Sequence, residues 1–546
     1  MGTLQTYHAT LPEDIDVAII GAGINGLAIA REAAMRGLST VIIERDDLGA
    51  RTTSISTRLI HGGLKYLERL FDVRLVFESI HERNLLLKLA PHLVERYPMI
   101  ILLEKGAKRP GWMITCGLIL HDVLAVGKAL PHNSVIFNRR LEREWPQLAE
   151  TRLKWAGIFE DSHVPLTERL CVEIALAAAD HGALFLTHSP VVGLLRNEER
   201  VTGVQYRDSQ DGIVKSLPAK VVVNAAGPWV DSVLDLAGSH DRFIGATKGS
   251  HAVVADFPGA PRICIFFEAA ADGRPMFVLP WEGKYMLGTT DIPFDGSLDE
   301  IVADDSEIDY LLKEVNRIIP VAKLTPDDVL WSYSGVRPLP YIADMKDPAK
   351  VTRNHQIIVH DGNLRGLVSV VGGKLTTHRA LGDQAGAQLV KLLGKGDPSS
   401  PSRHSLFPGA PAQDAASFPE RFVQGSSLPG DIAARLARIY GTRAEQVESL
   451  VKEHPKLVEV FDQETQAIAA ELVFAVESEG AQTLSDVLLR RTAVALNSDV
   501  GLACAPTAAR LLGSWLNWDE DRTERELQMY RLDTRRFRPR IYSEQH

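Results

Sequence analysis

The sequence predicts an α/β protein with a strand-rich middle and a helical C-terminal region. Three observations carry this. DVAIIGAGINGLAIA at 16–30 runs an apolar strand into three glycines and then into an alanine-rich helix. Two later segments, VVVNAAGPW at 221–229 and LVSVVGGKLTTHR at 367–379, repeat the strand-to-glycine turn. Beyond LGKGDPSSPSRHSLFPGAPAQD at 393–414, a Pro-, Gly- and Ser-rich linker, the apolar spacing is helical to the end.

Along the chain, Ile15–Ile20 reads as a short buried strand, Ile24–Arg36 as a helix and Thr40–Ile43 as a second strand. Helical spacing from Val73 ends near Pro91. Residues 165–190 read as an alanine-rich helix leading to a strand, and VTGVQYRDSQDG as a hairpin turning at Asp211–Gly212. Strands dominate from about 245 to 335. C-terminal helices are expected near 430–440, 443–453, 464–478, 484–495 and 505–530.

Composition narrows the function. A chain of 546 residues exceeds one ordinary core, so several domains are expected. A net charge of -10 argues against nucleic-acid partners. Cys116, Cys171, Cys264 and Cys504 are scattered with no C-x-x-C. They form neither a disulfide framework nor a zinc pattern, so no metal is expected and the compartment reads as reducing. The start, MGTLQTYHATLPEDID, has no secretory character, and no window is long and apolar enough for a membrane span. The expected location is cytoplasmic, with any membrane contact peripheral.

Gly21, Gly23 and Gly26 make G-x-G-x-x-G, and this unit is Rossmann-like. The first glycine serves the tight turn, the second lets a diphosphate approach the backbone, and the third lets helix and strand pack. The helix N-terminus favours an anion. Glu44 ends the second strand and is placed to accept from ribose hydroxyls. Glycine turns at 225–229 and 372–377, so far from the first, favour FAD over NAD, because their strands can return to the same sheet. Ordinary strand–helix turns are the competing reading of both.

RTTSISTRLIHGGLKYLE at 51–68 makes the reading specific. Together with the preceding segment it resembles the FAD-dependent glycerol-3-phosphate dehydrogenases of the aerobic, quinone-linked type. NAAGPWVD at 224–231, TKGSHAVV at 247–254, LGTTD at 287–291, YSGVRPL at 333–339 and GGKLTTHR at 372–379 follow in the same order. TLSDVLLRRT at 483–492 is similar to that family's helical domain, so the resemblance spans nearly the whole chain. It implies an FAD domain of the glutathione-reductase and D-amino-acid-oxidase type with an antiparallel substrate cap. On this basis residues 1–400 form the oxidoreductase region. Its FAD segments lie at about 1–95, 165–240 and 340–395, and its cap at about 96–164 and 241–339; residues 401–546 form the helical domain. The resemblance also implies oxidation of sn-glycerol 3-phosphate to dihydroxyacetone phosphate, with electrons passing from FAD to a membrane quinone. An oxygen-dependent oxidase and a dehydrogenase of another polyol phosphate, such as erythritol phosphate, are the alternatives. A homodimer is compatible with this reading.

Such a reaction needs cations for a phosphate dianion and a group to take the hydroxyl proton. Arg337 in SGVRP, Arg353 in VTRN, Lys374 beside the double glycine, and Lys65 with Tyr66 are the substrate candidates. Lys65 stands where many relatives have arginine, and Val164–Arg169 departs from their Asp-Ala-Arg. Both departures leave the polyol open. His61 and His251 are the proton-transfer candidates, with structural histidines as the competing reading. The catalytic set is thus His61, His251, Arg337 and Lys374. For FAD, the resemblance points to the hydroxyl loop Thr52, Thr53, Ser54, Ser56 and Thr57, and to His61, Gly62 and Gly63. With the glycine turn, Asn25 and Glu44 it adds Ala226, Gly227 and Trp229, then Gly372, Gly373, Lys374, Leu375 and Thr376.

Membrane contact at the inner face of the cytoplasmic membrane has its main candidate in KGAKRPGWMITCGLIL at 105–120. It sets Lys105, Lys108 and Arg109 beside Trp112, Met113, Ile114, Leu118, Ile119 and Leu120. A cap helix packed on the core is the competing reading. The basic tail TRRFRPR at 534–540 reads as solvated, with lipid contact as the alternative.

Overall fold

A computed structural model describes residues 3–4, 11–63, 73–104, 109–125, 130–146, 148, 155–209, 211–343 and 354–543. Lys65, Tyr66, Lys105, Lys108 and Arg353 lie outside the described residues.

Two sheets organise the first 371 residues. In the smaller, six strands run in the order Gln356–Val359, Leu367–Val371, Val221–Asn224, Val17–Ile20, Thr40–Ile43, Leu184–Leu186. All neighbours are parallel except the Gln356–Val359 edge. The strands at 17–20, 40–43 and 221–224 are buried throughout, as a parallel sheet covered on both faces requires. Helices Ile24–Met35, Thr167–Ala179 and His378–Leu393 pack together over it.

The larger sheet has ten strands drawn from residues 59–60, 95–163 and 247–337. Its pairings are antiparallel except between Cys264–Glu268 and Glu95–Leu102. A helix, Asp305–Ile318, interrupts the expected run of strands. Its buried Ile308, Leu311, Leu312, Val315 and Ile318 recur at helical spacing, and Asp304 with Glu307 closes a capping box.

The C-terminal region is helical with three departures from expectation. The 464–478 helix begins only at Ala469, because Val460–Asp462 and Ala467–Ile468 pair as a small hairpin. Leu484–Asp486 passes into a π-helical turn, Val487–Arg491, instead of reaching 495. The segment 505–530 is two helices, Ala505–Leu516 and Glu520–Thr534, divided by left-handed Asn517 and the N-cap Asp519.

The 393–414 stretch is not a loose linker. Ser405 O accepts from Arg31 Nη2 at 2.8 Å, Phe407 lies under the Arg31 guanidinium, and Gly409 N donates to Glu173 at 2.6 Å. The tail is likewise docked. Arg536 donates to Ala50 O at 3.2 Å, Arg538 to Ala303 O, and Phe537 meets Trp331 edge-on. Charge alone predicts solvation; the Ala50 and Ala303 carbonyls and the Asp305 carboxylate bind these guanidiniums instead.

Buried charges join the helical region to the sheet. Arg490 and Arg491, in the π turn, both bind Asp47 just after the Glu44 strand end. Arg490 also binds Asp486, which accepts from His188 at 2.8 Å. Burial opposes protonation of His188, but Asp486 and Asp47 raise its pKa to about 9. The group is therefore charged in the folded state. It contributes stability that is complete below the ordinary value of 6.5 and is lost as pH rises through about 9. The wild-type melting temperature should fall over that window by more than that of His188→Gln, as differential scanning fluorimetry would read. Identical pH profiles would remove His188 from the network.

Candidate active site

The nucleotide turn sits at the carboxyl end of Val17–Ile20. Gly21 adopts φ +102°, and its N–H donates to Ile43 O at 2.8 Å. A Cβ on Gly26 would stand 1.9 Å from Gly21 O, so only glycine lets the helix come this close. Gly23 differs. Its φ is −71°, and the nearest atom to a Cβ there is Thr53 Oγ1 at 3.6 Å. This face of the turn is open.

Glu44 is held toward the turn. Its Oε2 accepts from Ala22 N at 2.7 Å and its Oε1 from Asp46 N at 2.8 Å. Burial and the Asp46 carboxylate push its pKa up, against those two bonds. Trp229 stands beside this segment with the Arg45 guanidinium 4.2 Å over its ring, next to Ala226 and left-handed Gly227.

The hydroxyl loop divides into two groups. Thr53 Oγ1 accepts from Ile24 N at 3.1 Å, closing the first turn of the nucleotide helix, and Ser54 bonds Arg51 O. Thr52, Ser56 and Thr57 instead line a cavity of about 510 Å³. Facing them are Gly372, Gly373, Lys374, Leu375 and Thr376. Asn25 ties that turn to the nucleotide helix, its Nδ2 donating to Gly372 O at 3.2 Å, and a Cβ on Gly373 would strike the same amide at 2.6 Å.

Four predicted catalytic residues, His61, His251, Arg337 and Lys374, meet on the walls of this one cavity. Arg337 reaches it from the end of Val329–Arg337. Its Nη1 donates to Asp291 at 3.0 Å and its Nη2 to Thr289 Oγ1 and Thr290 O at 3.2 Å. A Cβ on Gly249 would lie 2.2 Å from that guanidinium, so the facing strand makes room for it.

The two histidines differ sharply. His251 is buried, stacks on Tyr333 at 4.7 Å, and its Nε2 lies 3.0 Å from Thr57 Oγ1. Burial and the charges of Arg337 and Arg58 lower its pKa to about 3, so it is a neutral hydrogen-bonding group at pH 7. The His61 side chain is 42% exposed, with Nδ1 3.3 Å from Asp161 Oδ2. Gly62 does not line the cavity; its N–H donates to Asp161 at 2.6 Å, while Gly63 lines the wall.

Sequence reasoning misses Asp161, Asp291 and Arg58. Asp291 closes LGTTD and could be weighed as a partner for a nearby cation. Asp161 sits mid-strand with no local signal. The departure at 164–169 keeps an acid: Glu168 holds Arg58 through two 2.6 Å bonds.

Residues 16–379 match a family model described as FAD dependent oxidoreductase, and 400–523 match the C-terminal domain of alpha-glycerophosphate oxidase. A glycerol-3-phosphate dehydrogenase from Synechocystis sp. is 40% identical over 530 residues, 94% of this chain and 95% of that protein. The chain belongs to the family of FAD-dependent glycerol-3-phosphate dehydrogenases. The chain is also 35% identical to D-erythritol 1-phosphate dehydrogenase from Brucella abortus, over 88% of this chain and 94% of that protein. The Bacillus halodurans glycerol-3-phosphate dehydrogenase, solved with FAD, superposes with a TM-score of 0.78 at 26% identity, covering 96% of this chain and 95% of that one.

The residues of this family member fit FAD. The open face at Gly23 is a cradle that a larger side chain would fill, and the helix dipole behind it suits a diphosphate. Gly23→Val should therefore fold normally, since its backbone is unstrained, yet purify without the yellow flavin absorbance. Full flavin content in that variant would place the diphosphate elsewhere.

Proposed function

We propose that this enzyme oxidises sn-glycerol 3-phosphate to dihydroxyacetone phosphate and passes the electrons to a membrane quinone. Bound FAD supplies the hydride acceptor. Arg337 and Lys374 hold the phosphate, Arg337 offering a guanidinium already oriented by Asp291 and Thr289. His61 takes the proton of the substrate hydroxyl, as a ring exposed to the cavity can. His251, kept neutral by burial, stays a hydrogen-bonding wall. The carrying observation is that the two cations and His61 share one cavity bounded by the 52–57 loop and the 372–376 turn.

The acceptor reading rests on the rest of the cavity. Met99, Ile101, Met113, Ile114, Leu120 and Phe277 make its far walls apolar, and three of them belong to the helix Gly111–Leu124. The outer face of that helix leaves Trp112, Ile119 and Val123 exposed. Such a face suits an interfacial helix that brings an apolar passage to the lipid boundary. Among the described residues no helix is long and apolar enough to cross a membrane. The enzyme then works as a peripheral protein at the inner face of the cytoplasmic membrane. Ile119→Asp should lower cosedimentation with anionic vesicles and quinone reduction together, while reduction of a soluble dye is unchanged. Peroxide formed in step with substrate, without added quinone, would favour the oxidase alternative.

A second substrate, erythritol 1-phosphate, is supported by the Brucella abortus relative and by Lys65. Anaerobic titration of the holoenzyme with both phosphates, followed at the flavin absorbance, decides between them. Arg337→Ala should retain FAD and weaken substrate binding by about 1.5–3 kcal/mol, the worth of a charge-assisted contact. Unchanged kinetics in that variant would take Arg337 out of the phosphate site.

A further inference from the structure

We infer that Asp161 is a positioning residue: its buried carboxylate sets the tautomer and orientation of His61 for proton abstraction, with Arg83 anchoring the pair. The inference rests on the proposed oxidation and adds two residues to it.

Asp161 lies in the strand Trp155–His163, and its side chain is 2% exposed. Both carboxylate oxygens are engaged. Oδ1 accepts from Gly62 N at 2.6 Å and from Arg83 Nη1 at 2.7 Å, and Oδ2 faces His61 Nδ1 at 3.3 Å. Burial opposes ionisation, but the hydrogen bond from His61 and the charge of Arg83 hold the pKa at about 2. A carboxylate anion only accepts. In the neutral His61 ring the hydrogen therefore sits on Nδ1, which leaves the Nε2 lone pair to accept a proton.

Arg83, on the helix Val73–Leu89, is fully buried. A Cβ on Gly62 would come 2.4 Å from Arg83 Nη1 and 2.8 Å from His121 Nε2. The glycine thus lets the backbone next to His61 settle on the guanidinium. The His61 ring is also fixed by Phe277, whose centroid is 5.9 Å away. In the reaction, the substrate O–H bond breaks and an Nε2–H bond forms. The O–H electrons make the C=O bond as the hydride leaves the same carbon for FAD. The imidazolium so formed lies against the Asp161 anion, which lowers the cost of making it.

The test uses holoenzymes mixed anaerobically with glycerol 3-phosphate in a stopped-flow instrument, read at the flavin absorbance. Asp161→Asn should slow flavin reduction on the order of 10²-fold, within the span of general-base catalysis. Substrate Kd and FAD content should be nearly unchanged, while the melting temperature falls because Arg83 loses its buried counter-charge. The deciding measurement is the cycle with His61→Gln: adding Asp161→Asn to that variant should cost no further rate. Equal slowing in both backgrounds would make Asp161 merely structural and overturn the inference, as would an unaffected single variant. If Asp161→Asn alone fails to fold around the buried, uncompensated charge of Arg83, Asp161→Asn with Arg83→Met removes both charges and is read the same way. Wild-type flavin that neither glycerol 3-phosphate nor erythritol 1-phosphate reduces would overturn the proposed function itself, and this inference with it.

Discussion

The site depends on parallel pairing among strands far apart in the chain. Val17 lies opposite Val221, and Val222 opposite Leu367, so three strands from the beginning, middle and end of the oxidoreductase region run side by side. Parallel strands finish at one edge, and each of these finishes in a glycine turn. The contacts between the turns are backbone-close. A Cβ on Gly21 would stand 2.8 Å from Ala225 O, and Asn25 bonds Gly372 O. Once this edge forms, the 52–57 loop, the nucleotide helix and the 372–376 turn have little freedom left. The cavity is what they enclose against the larger sheet.

Electrostatics then separates groups that look alike. Two histidines stand on the cavity wall, one beside a buried anion and one beside two guanidiniums. His251 is held neutral by burial and by Arg337 and Arg58. His61 has Asp161 behind it and the cavity in front. The helical region enters by the same means. Asp47 lies between the Glu44 strand end and the hydroxyl loop, and Arg490 and Arg491 grip it from 443 residues along the chain or more. Docking of the tail through Arg536 onto Ala50 adds a second hold on that loop. The region beyond residue 400 is therefore tied to the segment between the Glu44 strand end and the hydroxyl loop and is not an appendage.

Local patterns in the chain reveal much of this architecture. The apolar strands, the glycine turns and the helix after Gly26 are such patterns, and each stands within a residue or two of its expected place. The Asp305–Ile318 helix is equally legible, with apolar residues at helical spacing after a capping box, but strong strands on both sides obscure it. The break at Asn517 is harder to see, because the helical spacing continues across it. The tail is misleading, because charge alone cannot say whether a guanidinium will find water or a carbonyl.

The sequence by itself determined the sheet strands and the glycine turns and singled out Arg337 and Lys374 of the cavity wall, because these follow from periodicity, backbone sterics and residue chemistry over a few neighbouring positions. Only the tertiary structure decided which histidine has a carboxylate behind it, which hydroxyls line the cavity and which merely cap a helix. Asp161 and His61 are 100 residues apart, and Arg58 meets Glu168 across 110. Such partnerships depend on strand register and burial, and no local pattern in the chain encodes them.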